Sequence, residues 1–549
     1  MTTPQARWAT LRAERSSEGG YVAVMTGLLL LVLMGVAAFA VDVGFWYVVG
    51  QQEQRAADAA ALAGVTSLPG DPGGAYAAAQ NFSKINGFTD GVKATTVTPG
   101  IDGRPTRLRV TVTRTVDNFF GPLLGVPKTT ISRTAVADYA GPVPLGSPCN
   151  EYGDDPYNTG QRSSNCNGVA QFWANVGSPQ APKGNGDAYQ NDMGTNTDYD
   201  PNGYFYSVTV RQHVTNLKIE AFDPALIDVG DTCGSNNLSS AKNLAYPAQS
   251  VVSDPLTRYK EGTTNPAPYC TGDIRYGGTG DVATQFTVRS PGPNPWDPLS
   301  FPPVGGTCTQ TFAGYTGDLS KALDQTNAAY TSRPDVARNF RRWKTLCTIA
   351  DAQPGTYMIQ VKTNNAGGLD ALGNPVASND LASGHNRFSL RAYGGSAADN
   401  DAISVAGYNK MAMYANTPNG TTTFFLAKVP TGARGQLFNV SLWDVGDGAQ
   451  NGSTITVLPP SETTGTFSGC TGTGVKNGPL TDCGISVNSG YNAQWQTISI
   501  PIPSGYSCYD TQATGCWVRL VFYYGSGSSP MDTTSWTASV VGDPVRLVE

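Results

Sequence analysis

The sequence has few of the residues on which many catalytic and nucleic-acid-binding sites depend. Its 549 residues include only two histidines, His213 and His385, and 36 basic residues against 42 acidic ones. A nucleic-acid-binding protein normally carries a basic excess on one face, so we expect no nucleic-acid partner. Both histidines lie in polar segments that are expected to be turns or surface loops. The sequence therefore gives little support for a catalytic site built on histidine.

Two common motifs of enzymes are also missing. No G-x-S-x-G elbow occurs, and no glycine-rich phosphate loop follows a strand and opens a helix. The 42 acidic residues allow many carboxylate pairs, but none is singled out by its position. We therefore expect a protein that is not an enzyme.

Cysteine is absent from the first 148 residues, and ten cysteines follow. No C-x-x-C pair is present, so a zinc site has little support. An even number of cysteines favours an oxidising compartment with disulfide bonds. The overall pairing stays open from the sequence alone, but short separations favour Cys470 with Cys483 and Cys508 with Cys516.

Charge is missing from the 21 residues Tyr21–Val41. A helix of that length crosses a hydrocarbon core of about 30 Å. Arg7, Arg12 and Arg15 precede this segment, and the positive-inside rule then leaves residues 1–20 as a cytoplasmic tail. We expect a single-pass membrane protein with most of its chain outside the cytoplasm.

A cleaved signal peptide is the alternative for this segment. Ala38-Phe39-Ala40 has the small-x-small form of a cleavage site. The apolar run is, however, longer than the usual ~7–15 residues of a signal peptide. A retained anchor is therefore favoured, with Asp42 at its outer end, where water or a neighbouring helix can satisfy the charge.

Two motifs follow the apolar run. Residues 40–49 read AVDVGFWYVV, and residues 54–64 read QRAADAAALAG. The alanine-rich motif favours a helix, and Gly64 is a natural residue to end it. Together the two motifs resemble the N-terminal domain of the TadG-like Flp (tight adherence) pilus-assembly proteins.

The resemblance extends over about residues 18–140. It implies a small α+β stalk over residues 42–140, and the residue patterns there favour a helix at 75–85 and strands at 108–113 and 129–140. It further implies an extracytoplasmic component of a Flp/Tad-type pilus or surface assembly, anchored in a bacterial cell membrane, whose partners are other Tad pilus or secretion components.

Two features depart from proteins of this kind. No D-x-S-x-S motif of a von Willebrand type A domain is present, although many TadG relatives carry that domain. Met25 occupies the fifth position after Gly20, where prepilin-type processing requires glutamate. We therefore do not expect cleavage by a prepilin peptidase.

The rest of the chain is rich in glycine, proline and short strand-like runs. Residues 141–148 are expected to be a linker, because their prolines and glycines disfavour regular structure. We predict two tandem β-sandwich, jelly-roll-like domains at 149–397 and 398–549, with one helical insert at 335–347. A faint repeat supports the tandem arrangement, because YFYSVTV followed by NLKIEAFD in the first half resembles TFFLAKV followed by LFNVSLWD in the second.

One loop resembles the start of a calcium site. Asp198, Asp200 and Asn202 alternate and are followed by Gly203, as in a D-x-D-x-N-G calcium loop. The twelfth position is Thr209 rather than the expected glutamate, and these residue types also favour a simple turn before a strand. We expect no cofactor, with calcium at these three residues as the alternative. Asp228, Asp231, Asp444 and Asp447 could also supply carboxylates but are expected to be exposed turns.

A second function also fits the sequence. Its 25 tyrosines and 9 tryptophans could line a sugar-binding groove. The alternative to a pilus component is therefore a surface adhesin or carbohydrate-binding protein that uses a Tad-like anchor and binds surface glycans.

Overall fold

The structure is a computed structural model of the 549-residue chain. The residues that it describes are 5–68, 72–139, 142–153, 161–163, 172–178, 181–223, 282–292, 294, 297–313, 326–340, 342–369, 375–377, 385–416, 421–446, 448–450, 452–463, 465–509, 514–525, 531–541 and 545–547. The chain divides into two compact units. The first, called the N-terminal unit, comprises Met1–Leu68, Pro72–Tyr139 and Val545–Glu549, and the second, called the β unit, comprises Pro69–Asp71 and Ala140–Pro544.

Helices and strands are numbered along the chain. The helices are α1 (Gln5–Val65), α2 (Pro72–Ile85), α3 (Ala328–Ser332), α4 (Pro334–Asn339) and α5 (Ala397–Asp401). The strands of the N-terminal unit are β1 (Thr95–Asp102), β2 (Arg104–Asp117), β3 (Lys128–Tyr139) and β26 (Val545–Leu547). The strands of the β unit are β4 (Pro144–Leu145), β5 (Glu151–Tyr152), β6 (Trp173–Gly177), β7 (Tyr204–Val210), β8 (Val214–Phe222), β9 (Val282–Arg289), β10 (Thr309–Ala313), β11 (Trp343–Ala352), β12 (Gly355–Leu369), β13 (Pro375–Ala377), β14 (His385–Tyr393), β15 (Ile403–Tyr408), β16 (Lys410–Asn416), β17 (Thr421–Lys428), β18 (Leu437–Trp443), β19 (Thr454–Leu458), β20 (Thr471–Gly474), β21 (Gly478–Pro479), β22 (Gly484–Ser486), β23 (Trp495–Pro501), β24 (Trp517–Tyr523) and β25 (Met531–Val541).

The N-terminal unit packs α1 and α2 on an antiparallel sheet with the order β1-β2-β3-β26. Its core joins alanines of both helices to alternating residues of β2, namely Leu108, Val110 and Val112. The helices predicted for the apolar run and for the alanine-rich motif are both confirmed and form one continuous helix, α1. The second predicted helix and the two predicted strands are confirmed as α2, β2 and β3. The edge strands β1 and β26 were not predicted.

The β unit is mainly β, as predicted, and contains two β-sandwiches that share their sheets. One sheet has the order β10-β9-β12-β7-β15-β4-β17-β24-β19-β22. The other has the order β11-β8-β14-β6-β16-β25-β18-β23-β20-β21. Each sheet therefore runs through both halves of the unit, and side chains from both sheets meet in one apolar core.

The faint sequence repeat corresponds to a repeat in strand pairing. In the first half, β7 pairs with β12, and β8 pairs with β11 and β14. In the second half, β17 pairs with β24, and β18 pairs with β23 and β25. The two sandwiches are joined by an exchange of strands, because β15 of the second half pairs with β7 while β4 of the first half pairs with β17.

Three sequence expectations differ from the structure. The expected linker 141–148 is part of the fold, since Leu145 is fully buried in β4, where Pro144 takes the first position of the strand and so removes little hydrogen bonding. The expected helix 335–347 ends at Asn339, and Trp343–Cys347 begin β11, where Cys347 is bonded to Cys308. The expected second domain, 398–549, loses residues 545–549 to the N-terminal unit, because β26 pairs with β3.

Candidate functional site at the membrane-proximal end of the N-terminal unit

The aspartate of the AVDVG motif, Asp42, binds a loop of the sheet. Its side chain is buried, and its two carboxylate oxygens accept hydrogen bonds from three successive backbone N–H groups. The donors are Phe119 N at 2.7 Å, Phe120 N at 3.0 Å and Gly121 N at 2.7 Å. Such bonds to an ionised acceptor are among the strongest in proteins. The charge of Asp42 is thus satisfied by backbone amides of its own chain, where the sequence suggested water or a neighbouring helix.

The loop that binds Asp42 has a closed shape. We call residues 118–127, between β2 and β3, the tip loop. Asn118 N donates to Pro127 O at 3.0 Å, and the Asn118 side chain donates to Val126 O at 2.8 Å. A Cβ at Gly121 would lie 2.2 Å from Val126 O, so only glycine fits where the two sides of the loop approach.

Two aromatic residues of α1, Trp46 and Phe45, also contact the tip loop. Trp46 Nε1 donates to Asn118 Oδ1 at 2.7 Å. The ring of Phe45 contacts the ring of Phe119 edge to face, with a centroid distance of 5.1 Å. Phe45 and Trp46, which follow Asp42 on α1, therefore help to dock the tip loop.

The alanine-rich motif packs α1 closely against the rest of the unit. Ala56, Ala57, Ala60 and Ala61 are fully buried. A Cβ at Gly64 would lie 2.5 Å from Leu108 Cδ2 and 2.6 Å from the carbonyl oxygen of Ala75. Gly64 was expected to end the helix, but α1 ends at Val65, and the glycine is required by close packing.

A second buried carboxylate on α1, that of Glu53, differs from Asp42 in its hydrogen bonding. Glu53 is fully buried, and neither of its carboxylate oxygens has a hydrogen-bond partner among the described residues. Burial raises its pKa to about 7, although the charges of Arg133 and Arg114 oppose this shift. This group was not singled out by sequence reasoning, because its burial depends on the fold.

The apolar half of α1 fits a membrane span. Among the described residues, Gly20–Val65 is the one helix long and apolar enough to cross a membrane, with a mean hydropathy of 2.6 over its most apolar window. The side chains of that window are exposed. No core formed by the described residues covers this part of α1, as expected of a helix that contacts lipid.

The predicted calcium residues lie beside lysines in the β unit. Lys183 Nζ lies 2.7 Å from Asp198 Oδ2, and Lys410 Nζ lies 2.5 Å from Asp200 Oδ2. The hydrogen bond from Lys183 lowers the pKa of Asp198. Burial opposes a similar shift at Asp200, but the hydrogen bond and charge of Lys410 keep its pKa below the usual range. Asn202 contributes its backbone N–H to Asp200 Oδ1 at 2.8 Å, as in a turn.

The other acidic candidates are placed as follows. Asp444 is buried and accepts a hydrogen bond from Ala493 N at 2.7 Å, so it is not the exposed turn residue that was expected. Asp228, Asp231 and Asp447 lie outside the described residues.

The described residues also bring Glu462 close to two cysteines, Cys508 and Cys516. Those two sulfurs are joined in a disulfide, so this group does not offer thiolate ligands.

The two disulfides favoured by short separation are both present. Cys470 is bonded to Cys483 and Cys508 to Cys516, with separations of 13 and 8 residues. A third disulfide joins Cys308 to Cys347, which are 39 residues apart and were not paired from the sequence. Cys149 is also disulfide-bonded.

The two histidines do not come together. His213 is exposed and pairs with Asp351. His385 was expected at the surface, but it is buried as the first residue of β14, and its Nδ1 lies 3.3 Å from Asn175 Nδ2. Its inward position follows from the burial of the strand from His385 to Ala392, which a polar local sequence did not indicate.

Comparison with known proteins concerns mainly the N-terminal unit. The family model described as "Putative Flp pilus-assembly TadE/G-like" matches residues 20–81. No curated protein matches the chain. Among solved structures, the Faustovirus major capsid protein aligns over 83% of this chain and 79% of its own, with 6% identity and a TM-score of 0.12, which is too low to carry an argument. Residues 20–81 are therefore similar to the Tad domain of Flp pilus-assembly proteins of the TadE/G-like type.

Proposed function

We propose that this protein is a non-enzymatic, membrane-anchored and extracytoplasmic component of a Flp/Tad-type pilus or related surface assembly. The observation that carries the proposal is that the Tad match, at residues 20–81, covers most of α1, a helix that is apolar at one end and packed into a stalk at the other, and continues into α2. Tad pilus or secretion components are its proposed partners.

The proposed orientation follows from charge. Arg7, Arg12 and Arg15 precede the apolar run, which places the N-terminus in the cytoplasm by the positive-inside rule. The disulfides of the β unit support an oxidising location for the rest of the chain.

Two buried carboxylates of the β unit support the proposal that the protein is not an enzyme. Glu220 forms a buried salt bridge with Arg391 at 2.7 Å. Asp187 accepts hydrogen bonds from the Tyr204 hydroxyl at 2.6 Å and from Tyr189 N at 3.1 Å. Both groups are held by neighbouring side chains or backbone in a manner that serves the fold.

Deletion of the gene tests the proposed role. We expect the deletion strain to lose surface pili, and the full-length chain supplied in trans to restore them. An Asp42→Asn chain should restore them poorly, because the tip loop loses its ionised acceptor, whereas Asp117→Asn, at an exposed position near the same loop, should restore them fully.

A strain with normal pili would contradict the pilus role. If that strain also lost adhesion to glycans, the adhesin alternative would be favoured instead. For topology, a reporter enzyme active only outside the cytoplasm, fused after Glu549, should be active, and activity of a cytoplasmic reporter there would contradict the proposed orientation.

A further inference from the structure

The tip loop exposes apolar side chains beside the outer end of the membrane helix. Phe119 is 64% exposed and Leu123 is 84% exposed, and Phe120 and Val126 are exposed as well. No charged residue occurs between Asn118 and Pro127. Contiguous exposed apolar side chains on a protein surface generally mark a contact with another apolar phase or partner.

The depth of the loop is set by Asp42. The uncharged run Tyr21–Val41 is 21 residues long, which at 1.5 Å per residue matches a hydrocarbon core of about 30 Å. Asp42 is the next residue, and the backbone N–H groups of Phe119 and Gly121 lie within 2.7 Å of its carboxylate. The tip loop is therefore held at the boundary between hydrocarbon and headgroups.

The loop is also shaped to present those side chains outward. Its backbone is closed by the hydrogen bond between Asn118 and Pro127 and by a 3₁₀ turn at Gly121–Leu124. Gly125 follows this turn with a φ of 79°, which glycine adopts without strain. The exposed apolar residues therefore belong to a loop that is closed by its own backbone hydrogen bonds and is bonded to Asp42.

We propose that the tip loop inserts its apolar side chains, Phe119, Phe120, Leu123 and Val126, into the outer leaflet of the lipid bilayer beside α1. The loop acts as a second, shallow membrane contact that fixes the stalk against the lipid surface. Lipid is the favoured occupant because the loop is bonded to Asp42, the residue that directly follows the span, and so lies at the outer boundary of the span. The inference rests on the anchoring part of the proposed function.

Spin labels at three positions in the full-length protein test this inference. Single cysteines are introduced as Leu33→Cys, Leu123→Cys and Ile101→Cys, each labelled with a nitroxide after reconstitution into phosphatidylcholine vesicles. All three native side chains are exposed, and the described native cysteines have no free thiol. The measurement compares collision rates of each label with oxygen, which concentrates in lipid, and with a water-soluble nickel chelate.

The labels at positions 33 and 101 are the controls. Leu33 lies within the apolar run and reports the span itself. Ile101 pairs with Leu108, which approaches Gly64 closely. Gly64 is 22 residues beyond Asp42 on α1, or about 33 Å at the helical rise, so Ile101 reports the aqueous end of the same sheet.

We expect the labels at positions 123 and 33 to behave alike, with collisions with oxygen several-fold more frequent than collisions with the nickel chelate. The label at position 101 should collide more often with the nickel chelate than with oxygen. A label at 123 that behaves like the one at 101 would overturn the loop proposal and leave the anchor intact. Protection at 123 from both reagents would show a protein cover and would also overturn it. Aqueous behaviour at position 33 would instead refute the anchoring itself.

Discussion

Two carboxylates of α1 have opposite surroundings, although both are buried. Asp42 accepts hydrogen bonds from three backbone amides, whereas Glu53 has no such donor among the described residues. The carboxylate of Asp42 therefore ties α1 to the tip loop, whereas burial without a donor disfavours the charged form of Glu53.

Substitution of Asp42 by asparagine should destabilise the N-terminal unit by about 3 kcal/mol. The amide side chain loses the negative charge and directs an N–H group at backbone N–H donors, so at least one charged hydrogen bond is lost and one donor is left unsatisfied. Thermal unfolding of the full-length protein in detergent measures the change. Asp117→Asn is the control, because Asp117 forms only an exposed pair with Lys128, and an equal loss in both variants would refute the argument.

Substitution of Glu53 by glutamine should change how stability depends on pH. The folded-state pKa of Glu53 is raised from 4.5 to about 7, so the folded chain binds a proton more tightly than the unfolded chain. The stabilisation is complete below pH 4.5 and is lost as the pH rises through 7. Glu53→Gln should therefore be more stable than the wild type by roughly 1–3 kcal/mol at pH 8 and nearly equal to it at pH 4.5.

Asp58→Asn serves as the matched control for the Glu53 variant. Asp58 lies further along α1, is partly exposed, and accepts a hydrogen bond from Gln54 at 2.8 Å. This variant should retain the wild-type loss of stability between pH 5 and pH 8. If Glu53→Gln shows the same pH dependence as the wild type, Glu53 does not carry a raised pKa.

Among the elements, β26 closes the sheet of the N-terminal unit. Val545, Arg546 and Leu547 pair with Tyr139, Asp138 and Ala137 of β3. A chain that ends at Pro544 should be less stable in the N-terminal unit by about 1–2 kcal/mol and should associate at high concentration, because the edge of β3 is uncovered. Removal of Val548 and Glu549 alone is the control, and light scattering with thermal unfolding distinguishes the two truncations.

The contribution of each disulfide to the free energy of unfolding should increase with the length of the loop that it closes. In the chain-entropy treatment, a 39-residue separation corresponds to about 4 kcal/mol and an 8-residue separation to about 2.5 kcal/mol. Replacement of Cys308 and Cys347 together by serine should thus lower stability more than replacement of Cys508 and Cys516. Equal or reversed losses in urea unfolding would argue against an entropic origin of the stabilisation.

At the scale of the whole molecule, we expect stability to depend on disulfides and not on calcium. Lys183 and Lys410 already neutralise Asp198 and Asp200, so a cation would have to displace an ammonium group from each carboxylate. Reduction should lower the melting temperature of the full-length protein substantially, whereas a calcium chelator should leave it unchanged. A large effect of the chelator would instead support the calcium site.

The parts of the fold that sequence reasoning predicted are those encoded by local patterns. The apolar run, the alanine-rich helix and the strand β2 have a clear periodicity, and Cys470 and Cys508 lie near their partners in sequence. The two β-sandwiches were likewise indicated by short strands between turn residues.

The parts that could not be predicted depend on distant pairing. Asp42 and Phe119 are separated by 77 residues, and their bond involves a backbone N–H group that every sequence would offer. The strand at Val545–Leu547 has only three residues, too few for a periodic signal, and its partner lies about 400 residues earlier. The burial of Glu53 follows from the same long-range packing.

The pairing of β3 with β26 also bears on how a pulling force would pass through the chain. The chain leaves the N-terminal unit after Tyr139 and re-enters it at Val545, which is the register partner of Tyr139, so both connections leave from the same end of two neighbouring strands. A pull on the β unit would therefore load both strands at once. β26 is held by pairing with β3 over three residues, whereas β3 is also paired with β2 from Asp138–Arg107 to Lys128–Asp117. We expect the short strand to detach first, while β3 still keeps the stalk connected to the β unit.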